Sequence, residues 1–139
     1  MAVDTFFYGL FMDAALLRAK GIRARAPREG RLDDHVLAIG KRATLLSQPG
    51  RTVHGIVMAL DERELTRLYS EPSVSEYRAQ DVQVTLSDGN SIAARVYVLP
   101  PQLHDPAPNP EYAARLYDLA RRLGLPDPYL QDIHERFIR

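Results

Sequence analysis

Two short segments, far apart along the chain, carry residues that could do chemistry together. Glu71 is a carboxylate that stands six residues before Tyr77. Far upstream, an aromatic run ends at Tyr8 and Gly9. Backbone N–H groups at such a turn can bind an anion, and a glutamate can take up and return a proton. If the fold brings the two segments together, they form a small site that binds an anionic substrate and moves protons.

Each segment also has a purely structural interpretation. Glycine ends strands in every kind of protein, so Tyr8 and Gly9 could be only a strand end and a turn. Glutamate is mostly exposed, so Glu71 could be a solvated residue at the end of a helix. Tyrosine is common in sheets, which gives Tyr77 an ordinary place as well. The residues alone leave both interpretations open.

The composition restricts the class of protein. The chain has 139 residues, 45% of them hydrophobic, which predicts a single domain over residues 1–139 with an ordinary core. Lys plus Arg and Asp plus Glu both number 18, so no charge excess indicates nucleic acid or a membrane as a partner. The absence of cysteine excludes disulfides and thiolate catalysis. Without a signal peptide pattern or a long apolar run, we expect a cytoplasmic protein.

The motifs of common cofactor and nucleophile sites do not occur. The sequence has no G-x-G-x-x-G fingerprint for dinucleotides and no G-x-S-x-G elbow. The tripeptide Gly40-Lys41-Arg42 lacks the earlier glycine and the following Ser or Thr of a phosphate loop. The four histidines are well separated, with no H-x-x-x-H spacing. We therefore predict a protein that uses no metal and no cofactor.

Hydrophobic periodicity and turn residues predict about six short strands. The predicted strand segments are residues 5–8, 35–46, 53–60, 77–86 and 92–99. The second of these is bent or divided at Gly40, and the last two form a hairpin through Ser87-Asp88-Gly89-Asn90. Residues 22–31 are predicted to be a loop and residues 48–50 a turn.

Four helices are predicted from their end signals. Asp13, Asp61, Asn109 and Pro126 mark the starts, and Gly21, Pro72 and Gly124 mark ends. Asp61 and Glu64 have the spacing of a capping box. Together with short links between strands, which favour antiparallel pairing, these elements predict an α+β fold. We expect a small mixed, mostly antiparallel β-barrel with inserted and C-terminal helices.

Four segments in a fixed order carry a resemblance to a known family. Residues 6–13 read Phe-Phe-Tyr-Gly-Leu-Phe-Met-Asp, and residues 53–57 read Val-His-Gly-Ile-Val. Glu71 then precedes Tyr77-Arg78, and residues 108–112, Pro-Asn-Pro-Glu-Tyr, lead to Gly-Leu-Pro at 124–126. In this order and spacing the chain resembles the γ-glutamylcyclotransferase-like proteins, a group that includes the AIG2-like proteins. The resemblance covers nearly the whole chain.

The resemblance implies an acyltransferase or lyase reaction that needs no cofactor. The α-amine of a γ-glutamyl amine or peptide attacks its own γ-carbonyl, 5-oxoproline forms, and the amine leaves. The nucleophile belongs to the substrate, so the enzyme must fold the substrate, move protons and stabilise an oxyanion. By this resemblance Glu71 is the acid/base catalyst. The residues implied to bind the substrate are Tyr8, Gly9, Leu10, Phe11 and Tyr77.

Two residues depart from the family's pattern. Leu10 stands where the family often has Ser or Thr, and Pro72 stands where it usually has glycine after the glutamate. Leu10 cannot supply a hydroxyl contact, and Pro72 could re-aim the carboxylate of Glu71. Two alternatives therefore stay open, namely the same fold acting on another small acyl-amide and a non-catalytic binding domain. The sequence specifies neither the leaving group nor the oligomeric state.

Overall fold

Five strands of the chain close into a mixed β-barrel. The computed structural model describes residues 2–139. Its strands are β1 (Ala2–Phe7), β2 (Arg25–Ile39), β3 (Ala43–Asp61), β4 (Arg78–Leu86) and β5 (Ser91–Val98). Their order around the barrel is β1-β3-β2-β4-β5, and only the closing pair of β1 with β5 is parallel. The predicted α+β fold with a mostly antiparallel barrel is confirmed.

Helices are inserted between the strands and follow them at the C-terminus. They are α1 (Ala14–Ala19), α2 (Glu62–Leu68), α3 (Pro110–Arg122) and α4 (Asp127–Ile133), with a π-helical turn over His134–Ile138. The Asp13 carboxylate accepts from the Ala15 amide and the Asn109 side chain from the Tyr112 amide. Both arms of the Asp61 and Glu64 capping box are present. The predicted helix starts are therefore confirmed by the hydrogen bonds that cause them.

The prediction of about six short strands is wrong, because β2 and β3 are 15 and 19 residues long. They run together as one long hairpin, which reverses at Gly40 to Arg42. Residues 22–31, predicted to be a loop, contain the start of β2. Their arginines made this stretch look solvated, but in the strand they form surface ion pairs. Arg28 pairs with Asp4 at 2.7 Å, and Arg25 pairs with Asp61 at 3.2 Å.

The turn predicted at residues 48–50 is also wrong, since these residues lie inside β3. The pairing of β2 with β3 shifts register between Asp33 and His35, and residues 48–50 lie opposite this shift. Gly50 has φ of +81°, and its amide donates to the Asp34 carboxylate at 3.0 Å. The proline and glycine therefore mark a β-bulge in a continuous strand and not a chain reversal.

One apolar cluster fills the barrel and extends to the C-terminal helices. Its fully buried members from the strands include Phe6, Val53, Met58 and Leu60. Leu116 on α3 is also fully buried, which attaches the C-terminal helices to the barrel. None of the helices in residues 2–139 is long and apolar enough to cross a membrane.

Two strand glycines allow neighbouring strands to approach closely. Gly30 of β2 and Gly55 of β3 are register partners. A Cβ at Gly55 would lie 2.2 Å from the Phe7 carbonyl oxygen, and one at Gly30 would lie 2.7 Å from the Val84 side chain. Strand glycines commonly occur where a backbone approaches this closely. Gly55 thus allows β1 to pack closely against β3, Gly30 does the same for β2 against β4, and β1 leads directly to Tyr8.

Candidate active site

The end of β1 at Phe7 is followed by Tyr8 and Gly9, and then by a short 3-10 turn, Leu10–Met12. Gly9 has an extended backbone, with φ of −114°, so no unusual conformation requires glycine here. Space requires it instead, because a Cβ at Gly9 would lie 2.7 Å from the Tyr112 hydroxyl. The glycine therefore allows α3 to bring Tyr112 against the loop that follows Tyr8.

Glu71 lies in the turn that connects α2 with β4. The prediction that Pro72 ends the helix at Glu71 is wrong, because α2 ends at Leu68. Ser70 closes the last turn, since both its amide and its hydroxyl donate to the Arg67 carbonyl, at 3.3 and 2.7 Å. The Glu71 carbonyl accepts from the Val74 amide at 3.0 Å. The turn beginning at Glu71, and not a helix end, sets the direction of its side chain.

A cavity of about 430 Å³ brings the predicted site residues together. The six residues singled out in the sequence all line it, namely Tyr8, Gly9, Leu10, Phe11, Glu71 and Tyr77. The remaining wall is formed largely by apolar and aromatic side chains, among them Phe7, Leu16, Val74, Tyr69, Tyr97 and Tyr112. The two distant segments of the sequence therefore share one cavity at the end of β1.

Glu71 is the only carboxylate among the cavity-lining residues, within the part of the chain that the structure describes. The Lys20 ammonium donates to both of its oxygens, at 2.8 and 3.1 Å. The Glu71 side chain is 37% exposed and that of Lys20 is 28% exposed. This cation holds the carboxylate in place at the cavity wall, although a proline follows Glu71 in the chain.

Positive charge dominates the cavity. Its cationic lining residues are Lys20, Lys41, Arg42 and Arg115. Lys20 is paired with Glu71, and Arg42 is paired with Glu76 at 2.9 Å. Within residues 2–139, no carboxylate lies within ion-pair distance of Lys41 or Arg115. Two cations thus remain free, which favours an anionic ligand.

Stacked aromatic rings form one wall. The rings of Tyr69 and Tyr97 are stacked, with centroids 3.8 Å apart, and Phe11 meets Tyr69 edge to face at 5.9 Å. The Tyr69 ring also lies 6.2 Å from that of Tyr77. Such contacts stabilise the wall beyond simple burial. They give the cavity an aromatic wall in addition to its charged groups.

Two of the tyrosine hydroxyls are engaged by the backbone. The Tyr8 hydroxyl donates to the Tyr97 carbonyl at 2.7 Å, and the Tyr77 hydroxyl donates to the Ala43 carbonyl. The hydroxyls of Tyr69 and Tyr112 donate to no acceptor in the described chain. These two hydroxyls are therefore available to donate to a ligand, as are those of Tyr97, which accepts from Arg95 at 3.3 Å, and Ser73.

Burial keeps these tyrosines protonated. It raises the pKa of Tyr8, Tyr69 and Tyr112 well above the usual value, with neighbouring tyrosines adding to the effect. Burial raises the pKa of Tyr77 to about 12, against the opposing charge of Arg42. At neutral pH the tyrosines therefore act as hydrogen-bonding groups, and Glu71 is the one carboxyl group among the described lining residues.

Alkaline titration should reveal these buried tyrosines. The pKa of each of these hydroxyls is higher in the folded protein than in the unfolded chain, where it is about 10. The free energy of unfolding that they contribute is therefore fully present below pH 10, and it falls as the pH rises through the folded pKa. For Tyr77 the loss spans pH 10 to about 12. We expect tyrosinate absorbance at 295 nm to rise for these residues only as circular dichroism reports unfolding. Ionisation of all seven tyrosines near pH 10 in a folded protein would contradict this.

Thr44 is a polar residue buried inside the barrel. Its side chain is fully buried, and its hydroxyl oxygen accepts from the Leu99 amide at 2.9 Å. Thr44→Val keeps the shape but leaves the amide unpaired, which typically costs about 1–3 kcal/mol. Urea unfolding should show this loss. A loss below about 0.5 kcal/mol would mean that the hydrogen bonds of Thr44 do not matter to stability.

A larger, more open depression of about 600 Å³ lies between β1 and the β4–β5 hairpin. It contains none of the six predicted residues and no aromatic side chain. Two of its charged residues are already paired, Asp4 with Arg28 and Arg95 with Glu62, both at 2.7 Å. We therefore consider the smaller cavity as the functional site. Within residues 2–139, no group of three or more His, Asp or Glu residues is placed to hold a metal ion.

Sequence reasoning missed several residues of this cavity. Tyr112 has the spacing of a core residue, four positions before Leu116 on α3, yet it lines the cavity at Gly9. The other missed residues are Lys20, Lys41, Arg42, Tyr69, Tyr97 and Arg115. They come from five parts of the chain, namely the ends of α1 and α2, the β2–β3 turn, β5 and α3, and no spacing in the sequence relates them. Only the closure of the barrel places them around Glu71.

Comparison with protein families agrees with this architecture. The family model described as "Gamma-glutamyl cyclotransferase, AIG2-like" matches residues 5–118. The chain therefore belongs to the γ-glutamyl cyclotransferase, AIG2-like family. The matched segment contains all six predicted site residues together with Lys20 and Tyr112. A search of curated protein sequences found no significant match.

Solved structures with the same fold include a protein titled gamma-glutamyl cyclotransferase. It is 22% identical, has a TM-score of 0.83, and is matched over 100% of this chain and 90% of that one. An uncharacterized human protein is 23% identical with a TM-score of 0.82, over 99% of this chain and 89% of that one. YkqA from Bacillus subtilis is 20% identical with a TM-score of 0.77, over 96% of this chain and 53% of that one. At these identities the likeness shows the fold.

Proposed function

We propose that the protein cyclises a γ-glutamyl amine or peptide to 5-oxoproline and releases the amine, with Glu71 as the acid/base catalyst. One observation carries this proposal. The only carboxylate lining the cavity, among the described residues, lies in the same cavity as the loop from Tyr8 to Phe11. Family membership supplies the reaction class, and the cavity supplies a plausible position for each chemical role.

The substrate must adopt a curled conformation before its bonds can rearrange. The five-membered lactam forms only if the γ-glutamyl chain curls so that its α-amine meets its γ-carbonyl. An aromatic wall at Tyr69 and Tyr97, in a cavity that also contains free cations, suits a substrate with an aliphatic middle and an anionic end. The backbone amides of Gly9, Leu10 and Phe11 at the start of the 3-10 turn are proposed to hold the α-carboxylate. Because these donors belong to the main chain, binding of the carboxylate does not depend on a side-chain hydroxyl at position 10, where this chain has leucine.

The proton steps can be assigned to one carboxylate. The lone pair of the neutral α-amine forms the new C–N bond to the γ-carbon, and the carbonyl electron pair moves onto the oxygen. Glu71 takes the proton that the amine must lose. It then returns this proton to the departing nitrogen as the second C–N bond breaks and the carbonyl re-forms. No electron is gained or lost overall.

The developing oxyanion needs hydrogen-bond donors that are already in position. The hydroxyls of Tyr69 and Tyr112 have no acceptor in the described chain, and burial keeps both protonated by raising their pKa. We propose that they donate to the oxyanion. Tyr8 and Tyr77, whose hydroxyls donate to backbone carbonyls, support the walls and contact the substrate with their rings.

Product analysis tests the proposal. The protein is incubated with γ-glutamyl dipeptides and γ-glutamyl alkylamines in H₂¹⁸O, and products are followed by mass spectrometry. We expect 5-oxoproline and free amine in equal amounts, without ¹⁸O in the lactam. The α-glutamyl isomer of each dipeptide is the matched control and should give no amine. Release of ¹⁸O-labelled glutamate would overturn the proposal, because it would identify a hydrolase.

The two alternatives predict other outcomes of the same assay. An enzyme for another acyl-amide would release no lactam from any γ-glutamyl compound but would turn over a different amide. A non-catalytic domain would bind without turnover. The location of Glu71 at the cavity wall, held by Lys20, supports catalysis over simple binding, because a binding site for an anionic ligand gains nothing from this carboxylate.

A further inference from the structure

The chain leaves α1 through a tight turn over residues 20–23. Gly21 has φ of +77°, and its amide donates to the Arg18 carbonyl at 2.9 Å. The next amide, of Ile22, donates to the Leu17 carbonyl at 2.9 Å. These two hydrogen bonds form the Schellman motif that commonly ends a helix at glycine. Because the Ile22 side chain is also buried, the turn has a fixed backbone from which its other side chains extend.

One face of α2 contacts this turn. The Glu64 carboxylate accepts from the Arg23 amide at 2.7 Å, and the Arg67 guanidinium donates to the Gly21 carbonyl at 2.6 Å. Residues three apart on a helix lie on the same face, so both contacts come from one side of α2. Neither Glu64 nor Arg67 lines the cavity. The two hydrogen bonds therefore hold α2 against residues 20–23 from outside the proposed site.

Lys20 and Glu71 make the third contact between the same two segments. Glu71 follows Arg67 by four residues, just beyond the end of α2. The Lys20 ammonium donates to its two oxygens at 2.8 and 3.1 Å, and both residues line the cavity. The pairs formed by residues 64, 67 and 71 with residues 23, 21 and 20 thus form one row, which ends in the cavity. We name this row of three contacts the α1–α2 clamp.

The clamp restricts a side chain that would otherwise be free to rotate. Glu71 lies in a turn and its side chain is partly exposed, so several staggered conformations would be open to it. A hydrogen bond to each oxygen selects one of them. Each carboxylate oxygen can accept more than one hydrogen bond, so acceptor positions remain for the substrate amine. Proton transfer depends on such placement, since a misplacement of about 1 Å can cost about 10²-fold in rate.

We propose that the α1–α2 clamp positions Glu71 for proton transfer, with Lys20 and Arg67 as its positioning residues. This inference rests on the proposed function. Lys20 acts through the Glu71 carboxylate and does not bind the substrate, although its ammonium lies in the cavity. Arg67 acts from outside the cavity, because it holds the Gly21 carbonyl and with it the backbone that carries Lys20.

Substitution of Lys20 tests the inner contact. The assay follows 5-oxoproline with the γ-glutamyl compound that gives the most lactam in the product analysis. Lys20→Met should lower kcat by about tenfold to a hundredfold and change KM by less than about twofold, because the carboxylate loses its position. Lys20→Arg should recover kcat to within about fivefold of wild type, because a guanidinium can also donate to both carboxylate oxygens.

A double-mutant cycle distinguishes positioning from substrate binding. In a Glu71→Gln background, Lys20→Met should lower the residual rate by less than about twofold, because no proton carrier is left to position. An equal loss in both backgrounds, or a raised KM with unchanged kcat, would show that Lys20 binds the substrate. Either result would overturn the positioning role.

Arg67→Met tests the clamp without any change inside the cavity. We expect kcat to fall by about threefold to tenfold with KM unchanged, and we expect little further loss when Lys20→Met is already present. Arg63→Met is the matched control, because Arg63 is an exposed arginine of the same helix that lies outside the cavity and outside the clamp. It should leave both constants unchanged.

The outcomes distinguish this inference from the proposed function. Wild-type kcat in both Lys20→Met and Arg67→Met would overturn the clamp and leave the cyclisation standing. Failure of Lys20→Arg to recover more activity than Lys20→Met would also overturn it. No lactam from the wild-type protein would overturn the proposed function, and with it the catalytic role of the clamp.

Discussion

Glu71→Gln should lower the rate of 5-oxoproline release by about 10²- to 10⁴-fold, the usual range for loss of a general acid/base. The amide cannot take the proton from the attacking amine or return it to the leaving one. Glutamine has nearly the same size as glutamate, and its oxygen can still accept from the Lys20 ammonium, which lies 2.8 Å from the carboxylate. The loss should therefore appear in kcat more than in KM.

The fold must be shown to survive this substitution. Thermal unfolding and far-UV circular dichroism of the variant should match the wild type. Glu135→Gln is the matched control, because Glu135 is exposed in the π-helical turn and lies outside the cavity. It should keep full activity. If Glu71→Gln retained wild-type kcat, Glu71 could not be the proton carrier, whatever the fold.

Gly55→Ala should strongly destabilise the barrel, because the added methyl group has no room between β1 and β3. The added methyl carbon would lie 2.2 Å from the Phe7 carbonyl oxygen and 2.9 Å from the Phe6 ring. A backbone carbonyl in a closed barrel cannot move aside without breaking the pairing of Phe7 with Ile56. We expect a loss of about 3 kcal/mol, at the upper end of what overpacking usually costs. Urea unfolding measures this free energy.

Ser47→Ala provides the comparison within the same strand. Ser47 is exposed in β3, so its substitution should change the free energy of unfolding by less than about 0.5 kcal/mol. Because Phe7 leads directly to Tyr8, any Gly55→Ala protein that remains folded should also lose activity. Wild-type stability of Gly55→Ala would mean that β1 can shift away from β3 without cost, against the close packing described above.

Local sequence signals are sufficient to predict much of the fold. The hairpin of β4 and β5, the caps at Asp13 and Asn109, and the capping box at Asp61 depend on residues within a few positions of one another. The sequence therefore contains all the information that each needs. The long hairpin of β2 and β3 does not depend on local pattern in this way. Its arginines and its internal Pro-Gly look like loop signals until their partners on β1 and β3 are known.

The residues of the site also fall into two groups, those that the sequence identifies and those that only the fold brings together. The loop after Tyr8 and the carboxylate of Glu71 could be picked out because their order along the chain resembles that of a family. Lys20 and Tyr112 could not, because their positions depend on where α1 and α3 lie against the barrel. No periodicity links Lys20 to Glu71, although their side chains are in contact. Pairings of this kind are properties of the closed fold.

The strand that leads to Tyr8, β1, has no partner nearby in the chain. Phe7 pairs with Ile56 on one side, and Thr5 pairs with Arg95 on the other. Contacts of such long sequence separation form slowly, because loop closure must precede them. A newly made chain can therefore form its hairpins and capped helices well before it can hold a substrate. We therefore expect the proposed site to be among the last parts of the protein to assemble during folding, and among the first to be lost when the barrel opens.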